Sequence, residues 1–316
     1  MLFLAGLMGL MAVGAVAFVD IGVEEDEEEL SPDDTRSTDG QTIAGTSQPD
    51  LLTGSESDDQ IGGNDGDDLI SGQGGDDFAR GDAGNDTIAG DAGDDDLHGN
   101  DGGDLLEGGS GNDSLTGHNG NDVLRGGFGS DSLTGSAGDD ALFGDGGDDT
   151  LLGGLGNDVL TGGQGSDAMF GGWGNDLIIG VEDDPDADGV TDSDSADFLN
   201  GGGGDDTIIA GQNDVVTSGD GADNIIFGDW ITDGNATVIE DFEAESDSLL
   251  VVWDDATPDD EEPEVTIESD PDHANQSLIR MNGVIVASVK SADGLTAADV
   301  SVIPLSAALA AGLALG

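Results

Sequence analysis

The chain has 316 residues, of which 71 are Asp or Glu and only 5 are Lys or Arg, for a formal net charge of −66 at pH 7. That balance excludes a nucleic acid or anionic-lipid binder, since basic side chains supply affinity for phosphate, and the absence of cysteine excludes disulfides, thiolate zinc sites and Cys nucleophiles. With 57 glycines and 4% aromatic residues, an ordinary core cannot offset the entropy of ordering, so the chain is either disordered or held together by something else.

Residues 1–19 carry no charge, and as a hydrophobic helix they would span about 28 Å, close to a bilayer core. They read as a membrane anchor or a signal peptide. Ala15-Val16-Ala17 suits cleavage, but no Lys or Arg precedes the segment, which favours the anchor. An acidic linker follows over residues 20–44.

From Gly63 to Ile179 the sequence repeats every nine residues, thirteen times without an insertion. Positions 1 and 4 are Gly and position 6 is Asp in every unit. Position 8 is a large aliphatic in twelve of the thirteen, from Ile70 and Ile88 through Leu124 and Leu160 to Ile178, with Ala79 the exception. Two degenerate units lie upstream, Gly45 with Asp50 and Leu52, and Gly54 with Asp59 and Ile61; both lack the position-4 glycine. Downstream, after an interruption at 181–196, Asp197, Asp206, Asp214 and Asp223 each precede an aliphatic by two residues. An acidic disordered spacer would have no reason to hold this phase.

Each unit is expected to divide into a six-residue glycine-rich turn and a three-residue strand centred on position 8. Two units then make an 18-residue coil with parallel sheets on two faces, and thirteen units stack to about 30 Å at about 4.8 Å per strand. Carboxylates of successive coils meet along both edges and oppose folding. Ca²⁺ removes that opposition because it takes six to eight oxygen ligands in flexible geometry, which Mg²⁺ does not. Ion binding and folding are therefore expected as one event. Alternate units share a sheet, so one outward row reads Leu69, Thr87, Leu105, Val123, Ala141, Val159 and Leu177, whereas the other, Phe78, Asp96, Ser114, Ser132, Thr150 and Ala168, is mostly polar. The apolar row is expected either to be covered by the C-terminal segment, a second copy or a surface or matrix partner, or to be scattered surface hydrophobes.

Gly153-Gly154-Leu155-Gly156-Asn157-Asp158-Val159-Leu160-Thr161 and Gly162-Gly163-Gln164-Gly165-Ser166-Asp167 resemble the RTX, or haemolysin-type, calcium-binding repeat, and the likeness spans about residues 45–228. The resemblance implies an all-β, parallel β-roll, a two-sheet right-handed β-helix, with Ca²⁺ held by turn carbonyls and position-6 aspartates. Carried onto this chain, those aspartates are Asp68, Asp77, Asp86, Asp95, Asp104, Asp113, Asp122, Asp131, Asp140, Asp149, Asp158, Asp167 and Asp176, and by the same pattern Asp206 and Asp223. Asp82, Asp91 and His118 replace the family's position-2 glycine, which is expected to loosen individual sites. The resemblance also implies an exported bacterial protein, extracellular or at the cell surface, with an uncleaved C-terminal signal for the type I secretion apparatus. The apolar tail from Leu295 is equally readable as a plain amphipathic or apolar end.

Within the interruption, Asp184, Asp186, Asp188 and Asp192 follow the start of an EF-hand-type loop, but Ser195 stands where the bidentate Glu belongs, leaving a weak ion site or a merely acidic loop. Residues 229–316 are expected to form a small β cap with strands over 237–240, 249–253, 265–268, 278–281 and 284–289, the last two joined by Asn282-Gly283. No nucleotide-binding Gly-Lys, His-Glu-x-x-His or Gly-x-Ser-x-Gly motif occurs, and His98, His118 and His273 are too scattered in sequence for a zinc site. The expected function is structural calcium binding without catalysis. An adhesive or matrix-interaction module is the alternative, and an enzyme acting on extracellular polysaccharide comes last.

Overall fold

The computed structural model describes residues 40–181, 195–232, 234–255, 262–273, 275–291 and 294–310. The expected N-terminal helix over 1–19, most of the linker and the EF-hand-like segment apart from Ser195 lie outside them. Among the described residues no helix is long and apolar enough to cross a membrane.

All but the last of the thirteen repeats supply a strand of six residues, as in Leu69–Gly74 and Phe78–Ala83, leaving only positions 4–6, here Gly75-Asp76-Asp77, as the turn. The expected division of six turn and three strand residues is thus reversed. Strand propensity reports how side chains fit a pleated surface, whereas the ladder itself is made by backbone N–H and C=O groups, so positions 1–3 pair although they are rich in glycine. Position 2 takes a positive φ whatever its side chain, 76° at Asp82, 74° at Asp91 and 78° at His118. The departures from glycine there are accommodated in the left-handed region, at a conformational cost.

Successive strands alternate between a fourteen-stranded and a twelve-stranded sheet. Within each, repeat strands run parallel and pair eighteen residues apart, for example Leu106 with Leu124 and Leu124 with Leu142. The fold is therefore the expected two-sheet β-roll. One aliphatic per strand points inward: Ile70, Ile88, Leu106 and Leu124 from one sheet and Ala79, Leu97, Leu115 and Leu151 from the other are fully buried. The core is thus only two side chains thick, which is why so apolar-poor a chain can possess one.

Beyond the repeats, Thr237–Ile239 and Ser248–Trp253 prolong the two sheets. Gln276–Met281 and Val284–Lys290 form the expected hairpin, with φ of 49° at Asn282 and 86° at Gly283, the signs that a tight two-residue hairpin turn requires. Val265–Ser269 adds an antiparallel edge strand. Trp230 and Phe242 are buried in the core there, which continues through Ile279, Val286 and Val289 of the C-terminal strands. Part of the apolar tail is a strand, Val300–Pro304, paired with Ser248–Trp253 and followed by the short helix Leu305–Ala310.

The outer faces differ from expectation. Leu69 and Val123 of the predicted apolar row are exposed, and the C-terminal strand extends the edge of their sheet instead of covering its face. An apolar patch that includes aromatic rings lies on the sheet whose position-7 row reads as polar. There Leu152 is exposed, Leu155 stands beside Trp173, which is 69% exposed, and Phe170 packs on Phe198. These side chains come mainly from positions 9 and 3, which the position-7 reading leaves out.

Candidate metal centre

The position-6 aspartates end each turn and are almost fully buried, at 0–3% exposure for all fifteen predicted residues. One carboxylate oxygen of each has a structural duty. Oδ1 of Asp86 accepts the backbone N–H of Asp68 at 2.8 Å, Oδ1 of Asp104 that of Asp86 at 2.8 Å, and Oδ1 of Asp122 that of Asp104 at 2.8 Å. The same ladder runs along the opposite edge through Asp77, Asp95, Asp113 and Asp131, and it crosses the interruption because Oδ1 of Asp197 accepts from Asp167 and Oδ1 of Asp206 from Asp176. Position 5 runs a second ladder in the opposite sense: the N–H of Asn85 donates to Asp67 and that of Gly103 to Asn85.

The other oxygen, Oδ2, is buried without a hydrogen-bond partner in all fifteen predicted aspartates. Leaving one ionised oxygen so placed is costly, and here it is repeated along both edges. Its surroundings explain the invariant glycine at position 1. A Cβ on Gly135 would stand within 3.0 Å of both Oδ2 of Asp140 and the carbonyl oxygen of Gly153 one coil on, and Gly153 is placed in the same way between Asp158 and Gly171. Turns such as these thus gather a free carboxylate oxygen and a main-chain carbonyl where no side chain fits.

Burial pushes the carboxyls of Asp77, Asp86, Asp95, Asp113, Asp158, Asp167 and Asp223 up to about 6. It carries Asp104, Asp140, Asp149 and Asp206 up to about 7. The backbone N–H bond pulls each back in part, and neighbouring carboxylates, such as Asp122 and Asp158 around Asp140, push further. Asp68, Asp122, Asp131 and Asp176 are raised for the same leading reason.

At both ends of the array the turns satisfy themselves. Oδ2 of Asp50 accepts the N–H of Thr46, Oδ2 of Asp59 that of Ser55, Oδ2 of Asp214 that of Gly211, and Oδ2 of Asp247 that of Glu243. The degenerate sequences of these turns therefore correspond to carboxylates saturated by the chain itself. Asp197 is buried in the ladder as the predicted residues are, and its spacing to Leu199 was the signal for it.

Among the described residues no group of three or more His, Asp or Glu side chains closes on one point. A cation in these turns must draw on carbonyls as well as carboxylates, and an all-oxygen donor set fits a hard ion such as Ca²⁺. The histidines correct the sequence reading. His98 and His118, twenty residues apart, meet with Nδ1 and Nε2 at 3.0 Å, because an 18-residue coil sets position 9 of one strand beside position 2 of the next in its sheet. His273 lies apart, bonded to Asp270.

A search of curated proteins finds no match. The family model of the RTX calcium-binding nonapeptide repeat matches residues 37–178 in overlapping copies and residues 191–225, together more than half of the chain. With the roll, its carboxylate ladders and this coverage on one chain, the protein belongs to the family of RTX calcium-binding nonapeptide repeats.

Proposed function

We propose that the fifteen position-6 aspartates are the carboxylate ligands of a series of calcium sites, and that the protein is a non-catalytic structural module exported to a calcium-rich medium, where the ion completes its fold. The observation that carries this reading is the row of buried, unpartnered Oδ2 atoms lying beside main-chain carbonyls. Bound Ca²⁺ supplies the positive charge and the oxygen coordination that these carboxylates lack. The chain's own part is to hold Oδ1 in the backbone ladder, so that Oδ2 points into the turn, and to keep Cβ atoms out at position 1. Because the ladder joins coils, the sites exist only when coils are stacked, and ligand binding becomes folding energy. Calorimetric titration of the whole chain with Ca²⁺ tests this. A large negative heat-capacity change accompanying binding is expected, since apolar columns are buried in the same step; binding with no such change would separate ion uptake from folding and defeat the reading. The export assignment rests on the family and on the cysteine-free, acidic composition, and is tested by whether the protein is recovered outside the cells of its native host.

The exposed Leu152, Leu155, Trp173 and Phe198, with half-buried Phe170 packed among them, favour a second reading, an adhesive module presenting this face. Surface adhesion and self-assembly measured with and without a Trp173→Ser exchange separate the two readings: a purely structural module is indifferent to it.

A further inference from the structure

We propose that His98 and His118 form a second kind of ion site, for a divalent transition cation that favours imidazole, with Cu²⁺ bound most strongly. The two rings face one another on the outer surface of the fourteen-stranded sheet, with His98 Nδ1 3.0 Å from His118 Nε2, ring centroids 5.3 Å apart and planes inclined by 25°. They reach this position only through coil stacking, His98 lying in Asp96–Asp101 and His118 in the neighbouring parallel strand Ser114–Asn119.

Asp96 sets the chemistry. Its Oδ1 is 3.1 Å from Nε2 of His98. That contact assigns the His98 proton to Nε2 and directs the lone pair of Nδ1 at His118, the carboxylate–histidine arrangement that orients metal-binding imidazoles. Binding then requires His118 to carry its proton on Nδ1 and present Nε2 as a lone pair, a change of tautomer with no net proton released. Two nitrogens held at about 2.0 Å from one ion stand about 2.9 Å apart at a right angle and about 3.3 Å apart at the tetrahedral angle. The observed 3.0 Å is nearer the first, the cis pair of a tetragonal Cu²⁺ site, and binding requires the two half-buried rings to turn until their lone pairs meet at one point. Arg80, the strand neighbour of His98, is engaged by Asp82 at 3.4 Å. The nitrogen donors distinguish this site from the oxygen-lined turns, so it is open to an ion that calcium does not displace.

The test is a Cu²⁺ titration of the whole chain under saturating Ca²⁺, following electron paramagnetic resonance for nitrogen coupling, with far-UV circular dichroism of the same samples to confirm the fold. One tight Cu²⁺ with two coupled nitrogens is expected. His98→Ala and His118→Ala should each remove one nitrogen and weaken binding at least about tenfold, Asp96→Asn should weaken it by about ten- to a hundredfold with both nitrogens kept, and His273→Ala should change nothing. Nitrogen coupling and affinity that persist in the His98→Ala/His118→Ala double variant, or a folded native chain whose Cu²⁺ shows oxygen ligands alone, would overturn the proposal.

Discussion

An aspartate at position 6 has two oxygens with opposite status, and substitutions should read them separately. Replacing Asp140 by Asn keeps an acceptor for the N–H of Asp122 and removes the charge that burial and the neighbouring carboxylates penalise. At pH 7.5 the Asp140→Asn chain should be more compact than the native one in the absence of calcium and should gain less from calcium, as sedimentation velocity would show. Asp59→Asn should behave differently, because Oδ2 of Asp59 accepts the N–H of Ser55 and Oδ1 that of Gln41. An amide group turned toward either donor loses about 1–3 kcal/mol, and urea unfolding at saturating calcium should show that loss. The raised carboxyls also fix the sign of the pH dependence. Their pKa in the ion-free roll, about 6–7 for eleven of the predicted aspartates against 3.8 ordinarily, means that the folded form binds protons more tightly than the unfolded chain. The stability they contribute is complete below about pH 4 and is lost as pH rises through 6 and 7. Circular dichroism without calcium should therefore show β structure at pH 4.5 that disappears by pH 7.5, so that the β signal comes to depend on added calcium over the same range.

At the level of the strand and coil, one buried side chain per strand carries the core. Leu124 is fully buried and pairs with Leu106 and Leu142 on either side. Leu124→Ala should cost about 2–5 kcal/mol and appear as a higher calcium midpoint with an unchanged final spectrum. The period of nine, the alternation of sheets, the inward column and the fifteen carboxylates were legible because each depends on a residue that recurs in phase. The strand length was not, because positions 1–3 pair through the backbone, and glycine or asparagine there carries no mark of a strand. The hairpin at Asn282-Gly283 is legible because its turn needs two positive φ values, whereas nothing local marks Val300–Pro304 as a strand, its partners Leu249 to Trp253 lying far earlier in the chain. The histidine pair and the aromatic patch were missed for one reason. Both join positions 9, 2 and 3 of different units, and that neighbourhood exists only once an 18-residue coil has been laid over the next.

Across the whole molecule, a chain of formal charge −66 contains a roll whose two edges are each lined by buried carboxylates. The self-satisfied turns at Asp50, Asp59, Asp214 and Asp247 bound an interior in which the Oδ2 atoms of the fifteen predicted aspartates have no hydrogen-bond partner. The array is therefore closed at its ends by its own backbone and left open to ions between them. Repeat arrays of this kind fold by nearest-neighbour stacking, so ion uptake should be cooperative along the interior. The most direct measurement is a Ca²⁺ titration of the whole chain at pH 7.5, followed by far-UV circular dichroism and hydrodynamic radius, with Mg²⁺ in parallel, over about 10⁻⁴–10⁻³ M as is usual for extracellular modules. The account predicts a cooperative gain of β signal and a contraction with Ca²⁺ that Mg²⁺ does not produce. A chain already compact without ions at that pH, or one that stays expanded with Ca²⁺, would contradict it.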